Sequence, residues 1–112
     1  MKELRQKLRE FVAERDWDQF HSPKNLIMAL SVEVGEIVEH FQWLTEEESY
    51  QLSPKKSEKI KDEIGDVFIY LTMFADKFGI DPIQVAKDKI EKNRKNYPAN
   101  IARGTAKKYK EL

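Results

Sequence analysis

Three times in this chain a capping side chain is followed at once by proline: Ser22-Pro23, Ser53-Pro54 and Asp81-Pro82. A short oxygen-bearing side chain accepts from the free N–H groups of a first helical turn. Proline fits the next position, where its missing N–H costs nothing. Each pair predicts a helix start, and apolar residues recur at helical spacing behind each one. Leu26, Ile27, Leu30, Val34, Ile37, Val38 and Phe41 cover so much of a helix over 23–41 that it should be mostly buried. Ile60, Ile64, Val67, Phe68, Leu71, Phe74, Ala75 and Phe78 form one stripe over 54–78, and Gly79 supplies the usual stop. A further helix spans 82–96, before Tyr97-Pro98, and Leu4, Leu8, Phe11 and Val12 mark one over 2–15. Asp16–His21 reads as a loop, Thr45-Glu46-Glu47-Glu48 has capping-box spacing, and 97–112 reads as a loosely ordered tail. No strand pattern or internal repeat competes. The expected class is all-α, a four-helix bundle forming one domain over 1–112.

Composition narrows what such a bundle can do. With 112 residues the core is small, so association into a homo-oligomer would help it. Twenty Lys and Arg balance twenty Asp and Glu, which argues against a general nucleic-acid binder. The lack of cysteine excludes disulfides, thiolate metal sites and cysteine nucleophiles. The first residues lack a signal-peptide core and no apolar run could span a bilayer, so a cytoplasmic protein without a membrane partner is expected. Locally the charge is uneven. Residues 33–66 hold ten acidic and four basic side chains, a net of −6; residues 87–112 hold nine basic and three acidic, a net of +6. Such patches can simply attract each other, or they can offer carboxylates to a metal and lysines to phosphates.

Two acidic pairs carry the strongest signal. Glu33 and Glu36 lie at i and i+3 on the second helix, Glu63 and Asp66 at i and i+3 on the third, so each pair projects from one face. Twenty-six residues separate Glu36 from Glu63, enough for an antiparallel return that sets the pairs across a seam. Glu33 and Glu63 fall at the edge of apolar stripes, where a carboxylate is costly unless paired or metal-bound. Each pair also encloses a glycine, Gly35 or Gly65. A mid-helix glycine costs about 1 kcal/mol against alanine, which close packing or close ligand approach would offset. Four oxygen ligands suit a hard cation, Mg2+ or its substitute Mn2+. A di-iron bundle would need Glu-x-x-His, whereas His40 has Ile37 at that spacing.

Other residues suit a nucleotide. Lys89 and Asn93, one turn apart, can hold phosphate or stand as solvated side chains. Trp17, Phe20, His21, Trp43 and Tyr70 are candidates for a base pocket or for ordinary packing, and His21 could instead cap the helix at Pro23. No nucleophile triad or phosphate-cradling glycine loop is present. A carboxylate such as Glu36, Glu39 or Glu63 would act as base through water.

Glu33-x-x-Glu36 followed by Glu63-x-x-Asp66 resembles the signature of the MazG-type all-α nucleoside triphosphate pyrophosphohydrolases. The stretches Glu14–Leu26, Phe41-Gln42-Trp43, Asn93–Pro98 and Ala102–Tyr109 resemble the dCTP pyrophosphatase branch, so the likeness covers nearly the whole chain. Leu8 is a departure, since animal members carry histidine there. The resemblance implies a homotetramer built as a dimer of dimers, or a dimer. It implies Mg2+ on Glu33, Glu36, Glu63 and Asp66, and substrate contacts from Trp17, Phe20, His21, Trp43, Tyr70, Lys89 and Asn93. The implied reaction converts dCTP, with 5-substituted dCTP as a further substrate, to dCMP and pyrophosphate. A broad-specificity triphosphate pyrophosphatase and a non-catalytic nucleotide- or protein-binding bundle are the competing readings.

Overall fold

A computed structural model describes residues 1–106. Residues 107–112, which hold the Lys-rich end of the expected tail and part of the Ala102–Tyr109 resemblance, lie outside the described residues. The described chain is all-α: α1 Lys2–Glu14, α2 Pro23–Phe41, α3 Pro54–Asp76, α4 Pro82–Asn96 and α5 Ala99–Ala102, with single 3-10 turns at Asp18–Phe20 and Glu48–Tyr50. No strand occurs among the described residues. None of their helices is long and apolar enough to cross a membrane.

The predicted caps are in place. Ser22 Oγ accepts from Asn25 N at 3.1 Å and Ser53 Oγ from Lys56 N at 3.2 Å. Asp81 Oδ1 accepts from Ile83 N and Gln84 N at 2.9 and 3.1 Å. Thr45 and Glu48 form a reciprocal capping box, each backbone N–H donating to the other's side chain at 2.9 and 3.1 Å. α3 stops at Asp76, two residues short of the expected end. Gly79 at φ 66° turns the chain while Ile80 N reaches back to Ala75 O at 3.0 Å. In place of a uniformly loose tail, 99–102 form the single turn α5.

The chain falls into two compact units, Met1–Ile80 and Asp81–Leu112. In the first, Lys56 Nζ near the start of α3 donates to the His40 carbonyl at the end of α2, at 3.0 Å, so the two helices run antiparallel. Val12, Leu26, Ile60 and Ala75 form the buried core, with Thr72 fully covered and its hydroxyl donating to Phe68 O at 2.7 Å. The second unit contains α4 and α5. Tyr97 N donating to Asn93 O at 2.7 Å closes α4.

Two expectations need correction. α2 is not mostly buried: Leu26 is its one buried residue, while Met28 is 56% exposed and Val38 53%. Periodicity shows which faces repel water, not whether the same chain covers them. Close packing within the chain also fails to explain Gly35 and Gly65, because a Cβ at either would meet nothing within 4 Å.

Arg9 ties α1 to the end of α3. Its Nε and Nη2 donate to Asp76 Oδ2 and Oδ1 at 2.8 and 2.6 Å. These hydrogen bonds hold the Asp76 carboxyl below the usual carboxylate range. A depressed acid stabilises the fold above its unfolded value, about 3.9, and loses that contribution as pH falls through the folded value. Arg9 is largely exposed, so solvent screening keeps the contribution of the pair small. Asp76→Asn should therefore lower the urea midpoint at pH 6, and the gap from wild type should shrink steadily below pH 4. A gap that stays constant to pH 2 would disprove the linkage.

Candidate active site

The end of α1 fixes the first candidate residue. Asp16 adopts a left-handed conformation, φ 53°, which a short polar side chain tolerates. Its N–H bonds Ala13 O at 3.1 Å, and Trp17 N bonds Val12 O at 3.1 Å, the Schellman arrangement. Trp17 is thereby anchored to the last turn of α1, and its ring stands edge-on to Phe11 with centroids 5.7 Å apart. The Arg15 guanidinium lies 3.7 Å from the Phe11 ring centroid and 6.0 Å from that of Trp17. The loop after Trp17 is tied at three points. Asn25 Nδ2 donates to Phe20 O at 3.0 Å, Gln19 Nε2 to Asp16 O at 2.9 Å, and Lys77 Nζ to Asp18 Oδ1 at 2.7 Å. The Lys77 hydrogen bond holds the Asp18 carboxyl below its ordinary value.

Trp17 and His21 reach a cavity of about 350 Å3 whose far wall is α3, with Asp66, Ile69, Tyr70 and Met73; α1 closes it with Leu8 and Phe11. The wall residues of α3 lie at i, i+3, i+4 and i+7, one helical face. Three of the five candidates for a base pocket, Trp17, His21 and Tyr70, thus meet a candidate metal ligand, Asp66, in one place. Phe20 and Trp43 do not line this cavity; they are 59% and 87% exposed. Lys89 and Asn93 stand exposed on α4 in the second unit. Sequence reasoning missed Phe11, Ile69 and Met73 as walls. The spacing of Ile69 and Met73 from Asp66 was the available signal.

The acidic pairs face one another across α2 and α3. Burial raises the Glu33 carboxyl above its ordinary value, and repulsion from Glu36, Asp66 and Glu63 raises it further, so the four groups share one field. Glu63 receives a hydrogen bond at Oε1 from His40 Nε2, 3.1 Å away, while Oε2 is buried without a hydrogen-bond partner among the described residues. Among those residues no three acidic or histidine side chains are gathered into a ligand set. The chemistry nevertheless fits a hard divalent cation. All four donors are carboxylates, their mutual repulsion would be relieved by positive charge, and one buried oxygen, Glu63 Oε2, accepts no hydrogen bond among the described residues.

Known proteins resemble this chain over most of its length. A sequence model described as the MazG-like family matches residues 28–112. Human dCTP pyrophosphatase 1 is 42% identical over the whole of this chain and 67% of its own length, and the bovine protein of that name is 41% identical over the whole chain and 68% of its own. A crystal structure of a pyrophosphatase from Archaeoglobus fulgidus superposes with a TM-score of 0.81 at 41% identity, covering 88% of this chain and 92% of that one. With the family's sequence pattern running through most of its length, and with relatives this similar across all of it, the chain belongs to the MazG-like family.

Proposed function

We propose that this chain is a nucleoside triphosphate pyrophosphohydrolase that converts dCTP, and 5-substituted dCTP, to dCMP and pyrophosphate. The observation that carries the reading is the cavity in which Trp17, His21 and Tyr70 meet Asp66, because it sets a base-sized aromatic pocket against the carboxylate field. Relatives named for dCTP hydrolysis support the choice of base.

Glu33, Glu36, Glu63 and Asp66 would hold Mg2+, with Mn2+ as a substitute. When bound, the cation supplies a Lewis acid that neutralises phosphate charge and lowers the pKa of water. Trp17 stacks the base, His21 and Tyr70 meet its polar edge, and Leu8, Phe11, Ile69 and Met73 exclude water from it. Lys89 and Asn93 contact phosphate, with Lys89 offsetting negative charge as it builds up. A carboxylate of the cluster takes the proton from the attacking water. Phe20 and Trp43 lie outside this cavity and remain proposed substrate contacts on the family resemblance.

The chain acts as one domain in a cytoplasmic homotetramer, a dimer of dimers, with a dimer as the smaller alternative. Support comes from the apolar residues that one chain leaves bare on α2 and α3, among them Met28, Val34, Val38, Ile64 and Phe68.

Pyrophosphate release from a panel of ribo- and deoxynucleoside triphosphates, each with Mg2+ and with EDTA, tests the function. The expected result is EDTA-sensitive release with dCTP and its 5-substituted forms ahead of the other substrates. Equal release from many triphosphates would replace this with a broad pyrophosphatase. No release from folded protein would leave a binding bundle.

A further inference from the structure

His40 takes no part in the reading above, yet it makes the one hydrogen bond that Glu63 receives among the described residues. Its Nε2 lies 3.1 Å from Glu63 Oε1 and 3.0 Å from Oε2, and only the first approach has hydrogen-bond geometry. Both side chains are less than a fifth exposed, His40 at 19% and Glu63 at 18%. A carboxylate only accepts, so Nε2 is the nitrogen that carries the proton. The backbone beneath the ring is also fastened, because Lys56 Nζ donates to the His40 carbonyl at 3.0 Å.

We propose that His40 is a positioning residue for Glu63, its Nε2 fixing the orientation of the carboxylate before the divalent cation binds. The last torsion of a glutamate is broad, so an unheld carboxylate rotates freely between its two oxygens. A donor fixed on the neighbouring helix removes that freedom before the cation arrives. Nε2 faces both carboxylate oxygens, at hydrogen-bond geometry to Oε1 and 3.0 Å from Oε2, which accepts no hydrogen bond among the described residues and keeps its lone pairs for a cation. Partners of this kind, which orient ligands without touching the metal, are worth about 10- to 100-fold in metal affinity. The proposal rests on the reading of Glu63 as a ligand. The alternative is a plain tie between α2 and α3.

Direct Mn2+ binding without nucleotide separates these. Free Mn2+ would be followed by its paramagnetic resonance signal in the full-length wild-type protein, in His40→Leu, which has no donor, and in His40→Gln, whose amide nitrogen can stand where Nε2 does. Melting of each in EDTA gives stability. The expected result is Mn2+ affinity lower by about tenfold or more in His40→Leu, near wild type in His40→Gln, with no matching loss of melting temperature. Unchanged Mn2+ affinity in His40→Leu overturns the proposal and leaves the metal reading standing. Equal weakening in both variants also overturns it, because the donor would then not be the cause. If wild type binds no Mn2+, the metal reading itself fails and takes this proposal with it.

Discussion

Replacing Glu63 by glutamine should cut pyrophosphate release at least about a thousandfold, about 4 kcal/mol in the barrier, and leave the fold intact. The split follows from where the side chain sits. Glutamine keeps the shape of the buried group, and its amide oxygen can still accept from His40 Nε2 at the Oε1 position. The amide nitrogen then takes the place of Oε2, which accepts no hydrogen bond among the described residues; 3.0 Å from His40 Nε2, it is accommodated by a small turn of the amide away from the ring. What disappears is one negative charge from a cluster of four. In metal-free protein that loss removes the smallest of the influences that raise Glu33, behind burial and the charges of Glu36 and Asp66, so the melting temperature in EDTA should stay close to wild type. For a bound cation the same change removes a hard anionic ligand, and nothing nearby replaces it. Pyrophosphate release together with melting in EDTA gives both quantities. Turnover near wild type would take Glu63 out of the chemistry, and a large fall in melting temperature would make it a structural residue.

The features legible in the sequence are those decided by a few neighbouring residues. Ser22-Pro23, Ser53-Pro54 and Asp81-Pro82 placed three helix starts, because cap and proline act within one turn. Ends were harder. α1 and α3 close through left-handed residues, Asp16 and Gly79; Gly79 was legible as a stop but the stripe runs on to Phe78, past the end of α3, and nothing in the α1 stripe marks Asp16. α5 spans four residues, too few for any period to show. The burial of α2 was overstated because its apolar faces exceed what the first unit covers. In the site, spacing paired Glu33 with Glu36 and Glu63 with Asp66, since each pair is local to one helix. His40 lies 23 residues from Glu63 on another helix, and no local pattern joins them. Loop aromatics were ambiguous for the same reason. Trp17 is aimed by the Schellman turn at the end of α1, whereas Trp43 follows the end of α2 and lies almost fully exposed.

That aim makes Trp17 the residue whose loss should most weaken substrate binding while sparing the chemical step. Base–aromatic stacking is worth about 1–3 kcal/mol, so Trp17→Ala should raise KM roughly 5- to 150-fold. The ring lines the part of the cavity formed by α1 and its following loop, while Asp66 lies on the α3 wall. The contact is thus made equally in the bound substrate and the transition state, and kcat should change little. Stability should also change little, because the residue is 43% exposed and its ring meets only the edge of Phe11 and, at 6.0 Å, the Arg15 guanidinium among the ring contacts of the described residues. The backbone bond from Trp17 N to Val12 O survives the substitution, so the loop keeps its entry point. Trp17→Phe retains a stacking face and should fall between alanine and wild type. Steady-state kinetics of the three proteins on the preferred triphosphate would settle the matter. A fall in kcat with KM unchanged would place Trp17 in the chemical step, and no change in either would empty the cavity of its proposed base.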